Sequence, residues 1–325
     1  MQNAVRLWTP SAFPSFLRRK GETVARVFRK GGLKELAKVA WRKMRQPLWR
    51  WRQEWEWVQV EGCDYVLVPN VNGFTMLVAG TDAGIGQELA FYRVHEPITT
   101  RLLPGFVRKG DVVLDIGANI GYYTLLLARL VGEKGLVVAV EPHPANFHLL
   151  EWNLRINGIR NVRLVHAAIS DTDGIASLYL AEGSNWHALN PTERTTERTV
   201  DVIAMTIDTL AQQLERPVAL LRMDIEGWEA KALRGAPQTL HHHRPAIVME
   251  VHPAYMGEEE TRQLLRYLQL WGYEHGFLVL RRDEFPWVKR RQRVWERTLS
   301  ALLSDNELLR KGEAFILLLE GAATP

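Results

Sequence analysis

The run Val112-Val113-Leu114-Asp115-Ile116-Gly117-Ala118-Asn119-Ile120-Gly121-Tyr122-Tyr123-Thr124 starts as a short apolar strand and closes on an aspartate. It then turns through two glycines and continues into an apolar helical pattern at Leu125, Leu126, Leu127, Ala128 and Leu130. Strand, tight turn and helix in this order make the opening βα unit of a nucleotide-binding α/β sheet. Gly117 lets the backbone approach a ligand where a Cβ would collide, and Gly121 lets the helix start pack closely. The pattern is D-x-G-x-N-x-G rather than G-x-G-x-x-G, so Asn119 stands where a pyrophosphate turn carries its middle glycine. A side chain there crowds a diphosphate but suits a ligand without phosphate. The turn therefore points to S-adenosylmethionine (SAM) rather than NAD or FAD.

Downstream, strands and helices alternate. Strands are expected at 112–116, 136–140, 162–165, 218–223, 246–249, 273–280 and 314–319, with helices between them at 144–156, 207–214, 228–233 and 258–271. Segments 175–180 and 198–203 read as a strand pair around a polar insertion, 182–197, that either covers a ligand or lies in solvent. Such alternation implies right-handed βαβ crossovers and a largely parallel sheet. Ligands of these sheets bind beyond the carboxyl ends of the strands. Four strands here end in an acidic residue: Asp115, Glu141, Asp224 and Glu250. Glu141, 20 residues past Gly121, is placed to accept both ribose hydroxyls of a nucleoside, or alternatively to cap the helix that follows. Asp115 orients the turn or meets the ligand's amino group.

The 325 residues are 46% apolar and 24% charged, ordinary for a globular chain. Cys63 is the lone cysteine, which excludes an intrachain disulfide and fits a reducing cytoplasm. No signal-peptide core or membrane-spanning apolar run is read. Charge is uneven. Residues 1–60 hold 14 Lys/Arg against 4 Glu, so a whole-chain charge of +4 leaves −6 on the other 265 residues. Six of the twelve tryptophans lie in the same stretch. Leu33, Leu36, Ala37, Ala40, Trp41 and Met44 form one apolar face of a helix whose other side is crowded with Lys and Arg. That helix either docks on the body or lies on an anionic surface, so a peripheral membrane contact through residues 33–57 is one expectation. Nucleic acid is the weaker partner, because the body is acidic and carries no recognisable RNA-binding module. A hairpin follows at 63–80, then helical patterns near 87–94 and 96–103. The domain reading is a basic, Trp-rich extension at 1–58, an entry region at 59–104 and a catalytic domain at 105–325 with an insertion at 281–312. A lid, an oligomer contact and an anionic-substrate dock are all open for that insertion.

Six motifs carry a resemblance: DIGANIGYYT (115–124), EPHPANFHLLEWN (141–153), HAAISD (166–171), TIDTL (206–210), MDIEGWEAKALRG (223–235) and RPAIVMEV (244–251). Over about residues 85–280 the chain resembles the FkbM-type SAM-dependent methyltransferases. The resemblance implies a class I Rossmann-like fold with strand order 3-2-1-4-5-7-6 and the last strand antiparallel. It implies SAM contacts at Asp115, Gly117, Asn119, Gly121 and Glu141, with Ala168 near the adenine. It also implies methylation of a hydroxyl on a sugar or another natural product. Arg222 departs from the lysine usual before Met223-Asp224 in this family.

Methyl transfer from sulfonium to oxygen needs in-line positioning, a desolvated pocket and an acceptor for the hydroxyl proton. Asp224, Glu226, Glu250 and His252 are the candidate catalytic residues, and His252 has the ordinary pKa that suits a base near neutrality. Asp224, Glu250 and His252, with Glu226 beside them, are also a candidate site for a divalent cation that acidifies the hydroxyl. Glu229 reads as part of a solvated helix face, Asp208 as a cap of the short helix after Thr206, and His241-His242-His243 as polar groups at a helix C-terminus. The expected protein is a cytoplasmic SAM-dependent O-methyltransferase, able to sit at a membrane surface and to self-associate. Its acceptor would be a small-molecule or lipid-linked glycan. An RNA methyltransferase and a non-catalytic SAM-binding scaffold are the alternatives.

Overall fold

A computed structural model of the chain describes residues 6–7, 56–80, 82, 84–181, 183–285 and 293–321. The basic helix read at 33–44, the tryptophans before Trp57 and the Lys289–Arg291 run lie outside the described residues. Arg6–Leu7 (β1) form a short strand where none was expected, antiparallel to Glu56–Val60 (β2). Strand β2 pairs with Cys63–Val71 (β3), and β3 with Phe74–Ala79 (β4), giving an antiparallel meander. The expected hairpin is therefore present with two extra strands on its edge, β2 and then β1. Helices Ile85–Tyr92 (α1) and Pro97–Leu102 (α2) complete the entry region.

The main sheet grows from Val112–Ile116 (β5), five residues that are all buried. Strand β5 lies parallel to Leu136–Val140 (β6) on one side and to Val218–Met223 (β11) on the other. Strand β6 pairs in parallel with Val162–Val165 (β7), and β11 with Ala246–Val251 (β12). These strands are Val-, Leu- and Ile-rich because helices cover both faces, so alternation with polar residues would bury unpaired polar groups. Phe315–Leu319 (β15) inserts antiparallel between β12 and His275–Leu280 (β13). In order of appearance the strands run 3-2-1-4-5-7-6, as expected. One strand is added: Trp295–Thr298 (β14) pairs antiparallel with β13 at the sheet edge. The described part of the 281–312 insertion thus extends the sheet and then folds back through two short helices.

Helices Tyr122–Val131 (α3) and Pro144–Ile156 (α4) cover one face together with the meander. Ile207–Ala211 (α5), Glu229–Arg234 (α6), Pro237–His242 (α7), Pro253–Met256 (α8), Glu258–Leu270 (α9), Leu299–Ser304 (α10) and Asn306–Lys311 (α11) lie in the second half. Buried residues from all of them fill the core on the other face. Ala168–Ile169 (β8), Gly174–Ala181 (β9) and Thr195–Met205 (β10) make a small separate sheet, ordered β8-β10-β9. Among the described residues no helix is long and apolar enough to cross a membrane.

The meander is tied to α4 by side-chain amides. Asn153, fully buried, accepts from the Leu77 N–H (2.6 Å) and donates to the carbonyls of Leu77 (3.1 Å) and Ile120 (2.8 Å). Asn157 repeats the pattern one turn later with Thr75. Replacing Asn153 by alanine leaves buried backbone groups unpaired, and we expect a loss of about 2–3 kcal/mol of stability in urea unfolding. An unchanged midpoint would contradict this account of the docking.

Several local readings change. Strand β12 runs on to Val251, so Glu250 lies within it, opposite Ile316, rather than past its end. The helix at 237–242 was missed. Asp208 caps that helix rather than its own, accepting from the backbone N–H groups of Gln238 and Thr239 (2.9 and 2.8 Å), whereas Thr206 caps α5. His243 accepts from the Val218 N–H (3.2 Å), and His242 pairs with Gln238 (3.1 Å). His242 and His243 of the triplet thus serve the structure.

Candidate functional site

The turn after β5 is fixed by steric necessity. Gly117 has φ +75°, and a Cβ there would lie 2.0 Å from the Asp224 carbonyl oxygen. Its lack of a side chain serves first the approach of β5 to the end of β11, and not only the approach of a ligand. Gly121 has φ +93°, and a Cβ would lie 2.6 Å from Leu150 Cδ1, so it packs α3 against α4 as expected. Asn119 has φ +50°, a conformation asparagine tolerates better than most residues. Its side-chain oxygen accepts from the Ile120 N–H (2.6 Å), folding the amide back on the turn.

Glu141 leans over this turn. One carboxylate oxygen accepts from the Asn119 N–H (2.8 Å), and the other from the His143 N–H (2.9 Å). Gly117, Asn119, Glu141 and Ala168 line one cleft. Asp115 and Gly121 are not among its lining residues. Asp115 is wholly buried behind the cleft, where it accepts from Thr124 Oγ1 (2.6 Å) and Arg222 Nη1 (3.3 Å). Burial raises the pKa of Glu141 to about 7, against the pull of its two backbone donors.

Described residues of the 182–197 insertion cover one side of the cleft, since Ser184, Asn185 and His187 line it. Asp82, unremarkable in sequence, holds this cover down. Its carboxylate accepts from the N–H groups of Gly84, Gly86 and Ser184 and from the Ser184 hydroxyl. His187 stacks on His143 at 4.0 Å and accepts from the Ala181 N–H (2.9 Å). Burial and the neighbouring His143 push its pKa down to about 3, so it is neutral.

The four residues expected to be catalytic lie together, but only Asp224 and Glu226 line the cleft, with Glu250 and His252 packed beside them. His252 Nε2 lies 3.5 Å from Glu250 and 3.6 Å from Glu226, and its Nδ1 lies 3.2 Å from Glu229. Burial alone would lower the His252 pKa, but these carboxylates outweigh it and hold the ring as an imidazolium. His252 is therefore not the free base that its ordinary pKa suggests. Glu229 is fully buried rather than on a solvated face, and it accepts from the N–H groups of Ile225 and Gly227. Burial raises Glu226 to about 7 and Glu250 to about 8; His252 opposes the first shift, Arg281 and His252 the second. Asp224 and Glu226 line the cleft, and Asp224 pairs with Arg222 at 3.3 Å. The Arg222 guanidinium also donates to the Gly117 carbonyl (3.0 Å) and lies 4.3 Å over the Tyr123 ring.

Sequence reading missed the partners from the entry region and the insertion. Glu96, buried with φ +42°, accepts from the Tyr123 hydroxyl (2.6 Å) and lies 3.3 Å from His95 Nε2. Arg281 Nε reaches Glu250 at 3.0 Å and Glu96 at 3.6 Å. These residues sit on elements far apart in the chain, and no periodic pattern marks them. Two sets of side chains approach closely enough to share one cation: Asp224, Glu226 and His252, and Glu96, Asp224 and Glu250. Asp224, Glu250 and His252 do not form such a set together.

These buried ionisations give a pH dependence. His95 is held at about 10: burial opposes its charge, but Glu96 and Glu88 more than compensate. Its contribution to stability is complete below its unfolded pKa of about 6.5 and is lost as pH rises toward 10. Glu226 and Glu250 act in the same direction, because the folded state keeps protons that the unfolded chain releases above about 4.3. We expect the thermal midpoint to fall steadily between pH 6.5 and 10, and His95→Gln to flatten the upper part of that slope. A midpoint that rises over this range would contradict the assignment.

Residues 115–275 match the family model described as the methyltransferase FkbM domain. The 31-O-demethyl-FK506 methyltransferase FkbM of Streptomyces tacrolimicus is 26% identical over 208 residues, covering 54% of this chain and 75% of that protein. Protein-L-isoaspartate O-methyltransferase 1 of Archaeoglobus fulgidus is 39% identical over 59 residues, 18% of this chain and 27% of that protein. Among solved structures, a methyltransferase FkbM of Methylobacillus flagellatus KT aligns with a TM-score of 0.42 and 18% identity, over 66% of this chain and 45% of that one. The chain thus spans about a quarter of the isoaspartate enzyme and under half of the solved FkbM chain.

Proposed function

We propose, from the premise that this chain is a SAM-dependent methyltransferase of the FkbM family, that it methylates a hydroxyl of a glycan, glycolipid or related natural product. The observation that carries this reading is the joining of two chemistries in one cleft. Glu141 overhangs the turn at one end, and Asp224 and Glu226 line the other. The cleft suits a nucleoside without phosphate. Asn119 stands where a pyrophosphate turn carries its middle glycine, and the overhanging carboxylate can accept from ribose hydroxyls.

When bound, SAM supplies a methyl carbon activated by a sulfonium. The residues do the rest. Glu141 orients the ribose, and the Arg222 bridge between Gly117, Asp115 and Asp224 fixes the cofactor turn relative to the acceptor side. Asp224 would receive the proton of the acceptor hydroxyl. His252, as an imidazolium among Glu226, Glu229 and Glu250, positions those carboxylates rather than taking the proton itself.

The relative from Streptomyces carries an O-methylation in its name, which favours an oxygen acceptor here. A lipid-linked acceptor would suit the +10 balance of residues 1–60, which adds attraction to an anionic surface. Incubation with methyl-labelled SAM and a panel of free sugars, lipid-linked glycans and RNA tests the reading. Label in a sugar hydroxyl is expected, whereas label only in RNA, or in none of the panel, contradicts it.

A further inference from the structure

Glu96, Asp224 and Glu250 bring carboxylate oxygens within 4.8 Å of one another from three separate elements. Glu96 and Glu250 are almost wholly buried. Carboxylates so placed require positive charge close by, or they take up protons. A divalent cation is one way to supply it. We propose that Arg281 is the built-in cation of this cluster, so that the acceptor side works without a divalent metal.

Arg281 leaves the end of β13 and turns back into the cluster, with Nε 3.0 Å from Glu250 and 3.6 Å from Glu96. Its position is built from several sides. The Arg281 N–H donates to the Ala314 carbonyl (2.9 Å) just before β15. Three residues on, Glu284, fully buried, accepts from the N–H groups of Ile98 and Thr99 (both 2.8 Å) in the first turn of α2, directly after Glu96. The turn that carries Arg281 is thereby fastened to the segment that carries Glu96. The guanidinium also lies 5.1 Å from the centre of the Phe285 ring. A rigid planar cation held this way supplies fixed charge at fixed geometry.

The second candidate set, Asp224, Glu226 and His252, is closed by its own histidine. A metal needs a lone pair on an imidazole nitrogen. Both nitrogens of His252 face carboxylates, Nδ1 toward Glu229 and Nε2 toward Glu226 and Glu250. Each set of acidic residues therefore already faces a basic side chain of the chain itself. Arg281 acts through Glu250 and Glu96 and is a positioning residue.

The inference rests on the reading that Asp224 faces the acceptor, but a binding measurement decides it without turnover. Mn2+ binding to the full-length protein is followed by electron paramagnetic resonance for the parent, Arg281→Ala and Arg281→Ala/Glu250→Gln. We expect no site in the parent, a site in Arg281→Ala, and its loss in the double variant. Should Arg281→Ala fail to fold, Arg281→Gln keeps the side-chain bulk and gives the same comparison. Where an acceptor is turned over, chelation by EDTA should leave the parent rate unchanged. Arg281→Ala should be slower by about 10–100-fold, with partial recovery on adding Mn2+, while Arg281→Lys stays closer to the parent. A parent that loses activity in EDTA and regains it with Mg2+ or Mn2+ overturns the proposal. So does a parent that binds Mn2+ as well as Arg281→Ala does, with that binding lost in Glu250→Gln. Absence of turnover on any acceptor would count against the proposed activity and leave the Mn2+ comparison to decide this inference.

Discussion

Replacing Glu141 by alanine is expected to weaken SAM binding by about 100-fold or more, because hydrogen bonds to a charged carboxylate are worth about 1.5–3 kcal/mol each. The carboxylate already sits against the turn, held by the Asn119 and His143 N–H groups. Ribose hydroxyls would meet an acceptor that needs no rearrangement, which lowers the cost of binding. Glutamine at this position keeps one acceptor oxygen and should give an intermediate loss. Because burial holds the Glu141 pKa at about 7, and the ionised form is the better acceptor, affinity should rise as pH increases from 6 to 8. Calorimetric titration of the parent, Glu141→Gln and Glu141→Ala across this range checks both statements. The pH dependence should vanish in the glutamine variant. Equal affinities in parent and alanine variant would remove Glu141 from the cofactor site.

The second large effect concerns Asp224. Asparagine there keeps the shape but cannot take a proton, and general-base removal typically costs about 10²–10⁴-fold in rate. We expect kcat to fall within that range, while SAM affinity changes by less than about threefold, roughly the size of an exposed polar change. The contrast with Glu141 is the diagnostic feature, since one residue serves binding and the other serves the step. Single-turnover measurement with labelled SAM separates them. If Asp224→Asn loses SAM affinity as severely as Glu141→Ala, Asp224 works by holding the turn through Arg222, and the proton passes elsewhere.

The sheet was legible because its signals are local. Val112–Ile116, Leu136–Val140 and Val162–Val165 are short apolar runs bounded by turn residues, and each strand falls where the pattern ends. The family resemblance supplied the order of the strands, which periodicity cannot. The eighth strand, Trp295–Thr298, was not legible. It carries Glu296 and Arg297 on an edge where one side is solvated, so no apolar run announces it.

The site was legible in part for the same reason. Gly117, Asn119, Glu141 and Asp224 stand at strand tips, where topology alone directs them to one cleft. Glu96, Arg281 and Glu284 reach that region through long-range pairing, which a single chain read in order does not reveal. The charge of His252 was misjudged because a pKa depends on neighbours, and three of its neighbours are carboxylates brought in by folding. Glu229 misled for a related reason. It opens a short helix, where acids are usually solvated, but here the preceding loop wraps its own N–H groups onto the carboxylate.

A crystal structure of the full-length chain with S-adenosylhomocysteine bound tests the cofactor cleft most directly. We expect the nucleoside between the 117–121 turn and Glu141, both ribose hydroxyls within hydrogen-bond distance of the Glu141 carboxylate, and the sulfur turned toward Asp224. A nucleoside outside that cleft, or a Glu141 carboxylate with no contact to the ribose, would contradict the assignment.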